Sequence, residues 1–223
     1  DDYHGHGIKS DEEVAFWKAL FGQIIPGERL NVLDVGCGTG EMSLLLAGMG
    51  HKVTGVDLSE KMLDRAASKA KAMAQAGHGV DVEFMNGDAE TPPFESGSFD
   101  AIVTRHVLWT LPNPQNAVTS WMRTLKEGGK LAVIDGIWDD GSLETRLRRK
   151  VGELLILVFE RNDISRDSYS SELNSMLPHS RGVSADTVRA YMENSGLRDI
   201  GTENLTDLIK IQRRHMPFWY KIS

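Results

Sequence analysis

A chain of 223 residues with a formal charge of -7 is long enough for one well-buried α/β domain and too short for two of ordinary size. The acidic balance argues against non-specific nucleic-acid binding, which needs clustered Lys and Arg to neutralise phosphates. A single cysteine, Cys37, excludes an internal disulfide or a cysteine-based metal cluster and fits a reducing cytoplasm, and the longest apolar runs, such as 154–159, fall far short of a bilayer span.

The chain opens without Met and without a signal-peptide pattern, which points to a start inside a longer sequence or to processing. His4 and His6 form a pair that can bind a metal, but no third ligand follows nearby, and the favoured reading of 1–9 is a glycine-flexible arm. Ser10 with Glu13 is a capping-box pattern, and Val14, Trp17, Phe21 and Ile24 recur at helical spacing until Pro26-Gly27 breaks the helix.

The stretch 31–40, Asn-Val-Leu-Asp-Val-Gly-Cys-Gly-Thr-Gly, organises the rest. Val32 to Val35 suit a buried strand, glycines at 36, 38 and 40 a tight turn, and 41–49 an amphipathic helix. Glycine has no Cβ, so backbone N–H groups can approach a ligand at such a turn. A second apolar run, 53–56, ends in Asp57, where a βαβ unit places a carboxylate able to accept both hydroxyls of a ribose. A nucleoside-containing cofactor follows. The dinucleotide pattern puts its third glycine three positions after the second, and here it comes two after, so the register favours something other than NAD.

Ser59 is an N-cap for a helix to about Gln75, residues 80–84 a third strand, and 101–104 a fourth that delivers Arg105 and His106 to the carboxyl edge of the sheet. Asn113-Pro114 starts a helix carrying Val118, Trp121, Met122 and Leu125, and a fifth strand spans 131–134. Beyond it, Ser142 can cap a helix with Leu143, Leu147, Val151, Leu154 and Val158 on one stripe, a lid or a dimer contact, its basic run 146–150 read as a solvated face. Residues 184–195 form another helix stopped by Gly196.

These motifs resemble the class I S-adenosylmethionine-dependent methyltransferases. The first family motif is similar to residues 32–40, the second to 53–59, the adenine-contacting motif to 87–90, the fourth strand to 99–103, and the turn into the fifth to 125–131. Within that family the stretch 87–112 looks most like the small-molecule branch that includes ubiquinone/menaquinone-biosynthesis enzymes. The resemblance implies a Rossmann-like, doubly wound, seven-stranded sheet, mostly parallel with an antiparallel last strand and a small helical lid. The last two strands are expected near 199–203 and 218–222. One domain is implied: an N-terminal arm and helix (1–29), a cofactor-binding core (30–136), a variable helical cover (137–183), and a final helix and strands (184–223).

For the site, the resemblance implies S-adenosyl-L-methionine, released as S-adenosyl-L-homocysteine. Asp34, Gly36, Cys37, Gly38, Gly40 and Arg105 would face its amino-acid half, Asp57 its ribose, and Leu58, Met62, Asp88 and Ala89 its adenine. Asp88 has a second reading as the cap of a turn. Cys37 is read as a packing residue rather than a nucleophile. His106 is the candidate base, because imidazole titrates near neutral pH, with loop ordering or acceptor stacking as the alternative. The expected partner is a small-molecule methyl acceptor, in a cytoplasmic protein without nucleic acid or stable membrane insertion, with a homodimer left open. The competing classes are an NAD-dependent oxidoreductase, which shares the βαβ unit but for which no Tyr-x-x-x-Lys pair is seen, and a non-catalytic S-adenosylmethionine-binding protein.

Overall fold

The computed structural model describes residues 10–137 and 176–215, together with Ile8 and Ser142. The expected arm, the helix after Ser142 and the strand near 218–222 lie outside the described residues.

Five strands form one parallel sheet: β1 (Asn31–Val35), β2 (Lys52–Asp57), β3 (Asp81–Asn86), β4 (Phe99–Arg105) and β5 (Leu125–Ile134), in the order β3-β2-β1-β4-β5. The order reverses between β1 and β4, which makes the carboxyl ends of those two strands the switch point where open α/β sheets bind ligands. Alternation in the strands supplies two cores. Val32, Val53, Ala101 and Val103 face one side with Trp17, Phe21 and Leu46, whereas Leu33, Val35, Val56 and Ile102 face the other with Leu108, Val118 and Trp121. Each such fully buried side chain contributes roughly 1.5–3 kcal/mol.

Helix α1 (Asp11–Ile24) begins as its sequence directs, with Ser10 Oγ accepting the Glu13 N–H at 3.2 Å. Trp17 stacks on Phe21 with ring centroids 5.7 Å apart. Helix α2 (Glu41–Gly48) is capped by Gly40, and α3 (Glu60–Gln75) by the hydroxyl of Ser59. A single 3-10 turn, Leu108–Thr110, precedes α4 (Pro114–Thr124), which has Pro at its start.

Three expectations need correction. The fifth strand starts at Leu125 rather than at 131, directly after α4, with a register irregularity opposite Phe99 and Ala101. No strand forms at 199–203: Asp199 has φ 55 and residues 201–204 are exposed and unpaired. Among the described residues the sheet therefore has five strands, all parallel, without an antiparallel member. After α5 (Ala185–Asn194), the chain instead forms α6 (Thr206–His215), whose Leu208 and Ile211 are buried. This helix docks on α1, where Gln212 Nε2 donates to Glu13 Oε1 at 2.7 Å and Arg214 pairs with Glu12 at 3.0 Å.

Candidate active site

The glycine turn is anchored before any ligand is considered. Val56 O accepts the N–H groups of Gly36 at 2.8 Å and Cys37 at 3.0 Å, tying the end of β1 to β2. A Cβ at Gly36, where φ is +68, would lie 2.3 Å from Val107 Cγ2, and one at Gly40, where φ is +80, 2.9 Å from Phe84 and Ala66. Those two glycines are required by close packing. A Cβ at Gly38 would meet nothing within 4 Å, so this residue borders open space.

Asp57, at the carboxyl end of β2, reaches into that space. Its Oδ2 accepts the Gly38 N–H and its Oδ1 the Ser59 N–H, both at 2.8 Å. Each oxygen retains a second lone-pair direction, which a diol hydroxyl can use. Beside it Leu58 is 73 % exposed, an apolar side chain left on the rim, while Met62 is half-buried on α3. Asp88 caps a turn, its carboxylate accepting Glu90 N–H at 2.9 Å and Thr91 Oγ1 at 3.5 Å. Ala89 O accepts Trp121 Nε1 at 2.7 Å, which fastens this loop to α4.

Asp34 lies beneath the turn, fully enclosed, with Ser43 Oγ donating to it at 2.5 Å. Burial pushes its carboxyl up to about 6; the Ser43 hydroxyl and amide pull the other way, and the nearby Asp57 charge adds to the rise. The Cys37 thiol is driven strongly upward, first by burial and then by Asp34 and Asp57, so it is a packing group and not a thiolate nucleophile at neutral pH.

At the end of β4 the two candidate side chains part. Arg105 projects toward α1, its guanidinium 5.7 Å above the Trp17 ring. Burial lowers its pKa, and Glu13, Glu41 and Asp34 hold it up. Glu13, which also accepts Trp17 Nε1, and Trp17 itself are site neighbours that the sequence reading assigned only to a helix. His106 adopts φ 59, uncommon for a non-glycine residue, and donates its N–H to Ile134 O at 2.9 Å. Its Nδ1 lies 4.0 Å from Oδ1 of Asp135, a carboxylate whose side chain is 2 % exposed. Asp135 was visible in the sequence only as the end of a strand. The described residues hold no group of three or more His, Cys, Asp or Glu suited to a metal ion, and no described helix is long and apolar enough to cross a membrane.

Residues 33–133 match the family described as "Methyltransferase domain", a span coinciding with β1 through β5 and enclosing the glycine turn, Asp57, Asp88 and His106. These residues belong to the class I S-adenosylmethionine-dependent methyltransferases. The methyltransferase domain is 37 % identical over 109 residues to a demethylmenaquinone methyltransferase of Lactococcus lactis, a match covering 48 % of this chain and 42 % of the relative. The chain thus spans less than half the length of that relative. In fold, it is similar to YcgJ of Bacillus subtilis (TM-score 0.59, 23 % identity, 95 % of this chain and 81 % of that one). It is also similar to Haemonchus contortus phosphoethanolamine N-methyltransferase 2, solved in complex with S-adenosyl-L-methionine (TM-score 0.66, 21 % identity, 95 % and 43 %). The methyltransferase domain thus brings all twelve expected site residues to the carboxyl edge of β1 to β4, with Arg105 and His106 on diverging courses.

Proposed function

We propose that the protein transfers a methyl group from S-adenosylmethionine to a small-molecule acceptor. The observation that carries this reading is the junction of Gly38 and Asp57 at the switch point, where an open glycine face meets a carboxylate with free lone-pair directions. The residues fit the cofactor: Asp57 would accept the ribose hydroxyls, Leu58 and Met62 would cover the adenine face, and Asp88 and Ala89 would meet the adenine edge. The backbone of Gly36 to Gly40 and Arg105 would border the methionine half, with Asp34 acting through the turn.

S-adenosylmethionine supplies a methyl group already activated by its sulfonium. The chain's own task is then alignment and water exclusion, which can supply about 7–11 kcal/mol in favourable cases. His106 is placed to hold a proton if the acceptor must shed one. The segment 137–183 is read as a cover over the acceptor; its described end returns against β5, with Val183 N–H donating to Gly136 O at 3.0 Å. The similarity to a demethylmenaquinone methyltransferase favours a phenol- or hydroquinone-type acceptor.

The test is calorimetry with S-adenosylhomocysteine and, separately, NAD, followed by labelled S-adenosylmethionine with a panel of hydroquinones, phenols, amines and thiols. Micromolar binding of S-adenosylhomocysteine and label transfer to a panel member are expected. Binding of NAD alone would return the site to an oxidoreductase, and cofactor binding with no transfer to any member would favour a non-catalytic binder.

A further inference from the structure

His106 and Asp135 reach each other by a route that neither residue's local sequence dictates. The β4–β5 register pairs Thr104 with Val133 and Arg105 with Ile134, so the next residue on each strand, His106 and Asp135, stand at adjoining strand ends. Had β4 simply continued, alternation would have turned the His106 side chain to the face opposite Arg105 with no reason to meet β5. Its left-handed backbone, with the N–H fixed on Ile134 O, sets the ring against Asp135 instead.

Asp135 is an unusual group to bury. Its side chain is 2 % exposed, Oδ1 accepts its neighbour Gly136 N–H at 2.9 Å, and Oδ2 makes no hydrogen bond among the described residues. The amides of Leu108 and Trp109 face the carboxylate and lower its pKa, yet burial outweighs them and pushes it up to about 6. An enclosed carboxylate with an unused oxygen is costly unless something cationic visits it. The His106 ring, 39 % exposed, is positioned to be that cation.

Resting on the methyltransferase reading above, we propose that Asp135 is the positioning residue of His106, holding the ring with its Nδ1–H toward β5 so that Nε2 accepts the proton released by a hydroxyl-bearing acceptor. The separation of 4.0 Å is ion-pair range and longer than a hydrogen bond; such contacts tighten in the reacting complex. The hydroxyl gives H⁺ to Nε2, and its electron pair forms the new bond to the methyl carbon, from the oxygen or from a ring carbon conjugated to it. In the second case the displaced ring hydrogen leaves to solvent. The pair of the broken carbon–sulfur bond stays on sulfur, and the imidazolium later returns its proton to water. Arg105 projects to α1 among Glu13, Glu41 and Asp34, and His179 comes from the segment returning against Gly136; Asp135 is the carboxylate that meets the ring across the β4–β5 edge.

The test is nitrogen-15 NMR of the seven histidines across pH 5 to 9, with and without saturating S-adenosylhomocysteine, His106 being assigned by its loss in His106→Gln. In the native protein the neutral His106 ring carries its hydrogen on Nδ1. Asp135→Asn keeps an acceptor for the Gly136 amide and should lower the His106 midpoint by roughly one pH unit while mixing the tautomers. Should that variant not fold, the reciprocal reading serves, since His106→Gln should raise the midpoint of the Asp135 carboxyl carbon. An unchanged midpoint and tautomer in Asp135→Asn, or an unmoved Asp135 titration in His106→Gln, would overturn the pairing. Calorimetry on the same samples separates the two claims: no S-adenosylhomocysteine binding sinks the methyltransferase reading, whereas normal binding without coupling sinks only the dyad.

Discussion

Replacing Asp57 with Ala tests the cofactor site at its most informative point. The carboxylate accepts Gly38 N–H and Ser59 N–H at 2.8 Å each, joining the glycine turn to the cap of α3. Removing it deletes two charge-assisted bonds to protein and, on the proposed function, two to a ribose diol. At about 1.5–3 kcal/mol per bond to a charged group, and allowing for exposed geometry, loss of the diol contacts should cost roughly 3–4 kcal/mol. That is about a 100- to 1,000-fold rise in the Kd for S-adenosylhomocysteine. Calorimetry reads the affinity, and thermal melting separates it from a loosened turn, because water can replace the carboxylate at the exposed Ser59 cap. Asp57→Asn, which keeps one acceptor oxygen, should fall between. An Asp57→Ala protein that binds within twofold of the native one would refute the assignment of this carboxylate to the ribose.

Leu58→Ser should leave the melting temperature unchanged, since the side chain is 73 % exposed, yet weaken S-adenosylhomocysteine binding several-fold; equal affinity would remove Leu58 from the adenine face. Gly36→Ala places a Cβ 2.3 Å from Val107 at φ +68, so binding should be lost and the melting temperature should fall, as followed by calorimetry and circular dichroism. Glu13→Ala strands Trp17 Nε1 and Gln212 Nε2 and removes a carboxylate that faces Arg105, which should cost about 2–4 kcal/mol in urea unfolding. Asp34 gives a pH test: its folded value near 6 exceeds the ordinary 3.8, so the native state binds the extra proton between these values and its stability contribution falls as pH rises through that window. The penalty is complete above about pH 7, on the order of 3 kcal/mol for so enclosed a group. The stability of Asp34→Asn minus that of the native protein should therefore grow between about pH 4 and 6 and then level off; a difference that does not vary with pH would be the contrary result.

The half of the molecule from β1 to α4 was legible because each element carries a local signal strong enough to stand alone. Glycines packed against Val107, Phe84 and Ala66, strands with alternating burial, and Ser59 or Asn113-Pro114 at helix starts leave few alternatives. Helix α6 had its own signal and was missed: Asn204 Oδ1 accepts the Thr206 N–H, Asp207 sits in the first turn, and Arg213, Arg214 and His215 sit in the last. Reading 199–203 as a strand rested on resemblance, whereas Gly201 and Asn204 in an exposed stretch speak for a loop. The early start of β5 was hidden because Gly128 and Gly129 look like a turn in isolation. In the sheet a Cβ at Gly129 would lie 2.9 Å from Asp100 O, so the glycine lets the irregular strand pass close to β4.

The site divides along the same line. Asp57, Leu58 and Asp88 could be placed from sequence because each directly follows its own strand, and a strand's end fixes its neighbour's position to within a residue. The environment of His106 could not, since it depends on how β4 registers against β5 and on a backbone that leaves the strand conformation at that residue. A one-residue slip of β5 would carry Asp135 away from the ring and bring Ile134 or Gly136 opposite it. The irregularity at Gly128 and Gly129 lies upstream of that pairing and sets which residue of β5 arrives at the edge. Through it, a pair of glycines at the far end of the strand determines whether the histidine at the site faces a carboxylate or an apolar side chain.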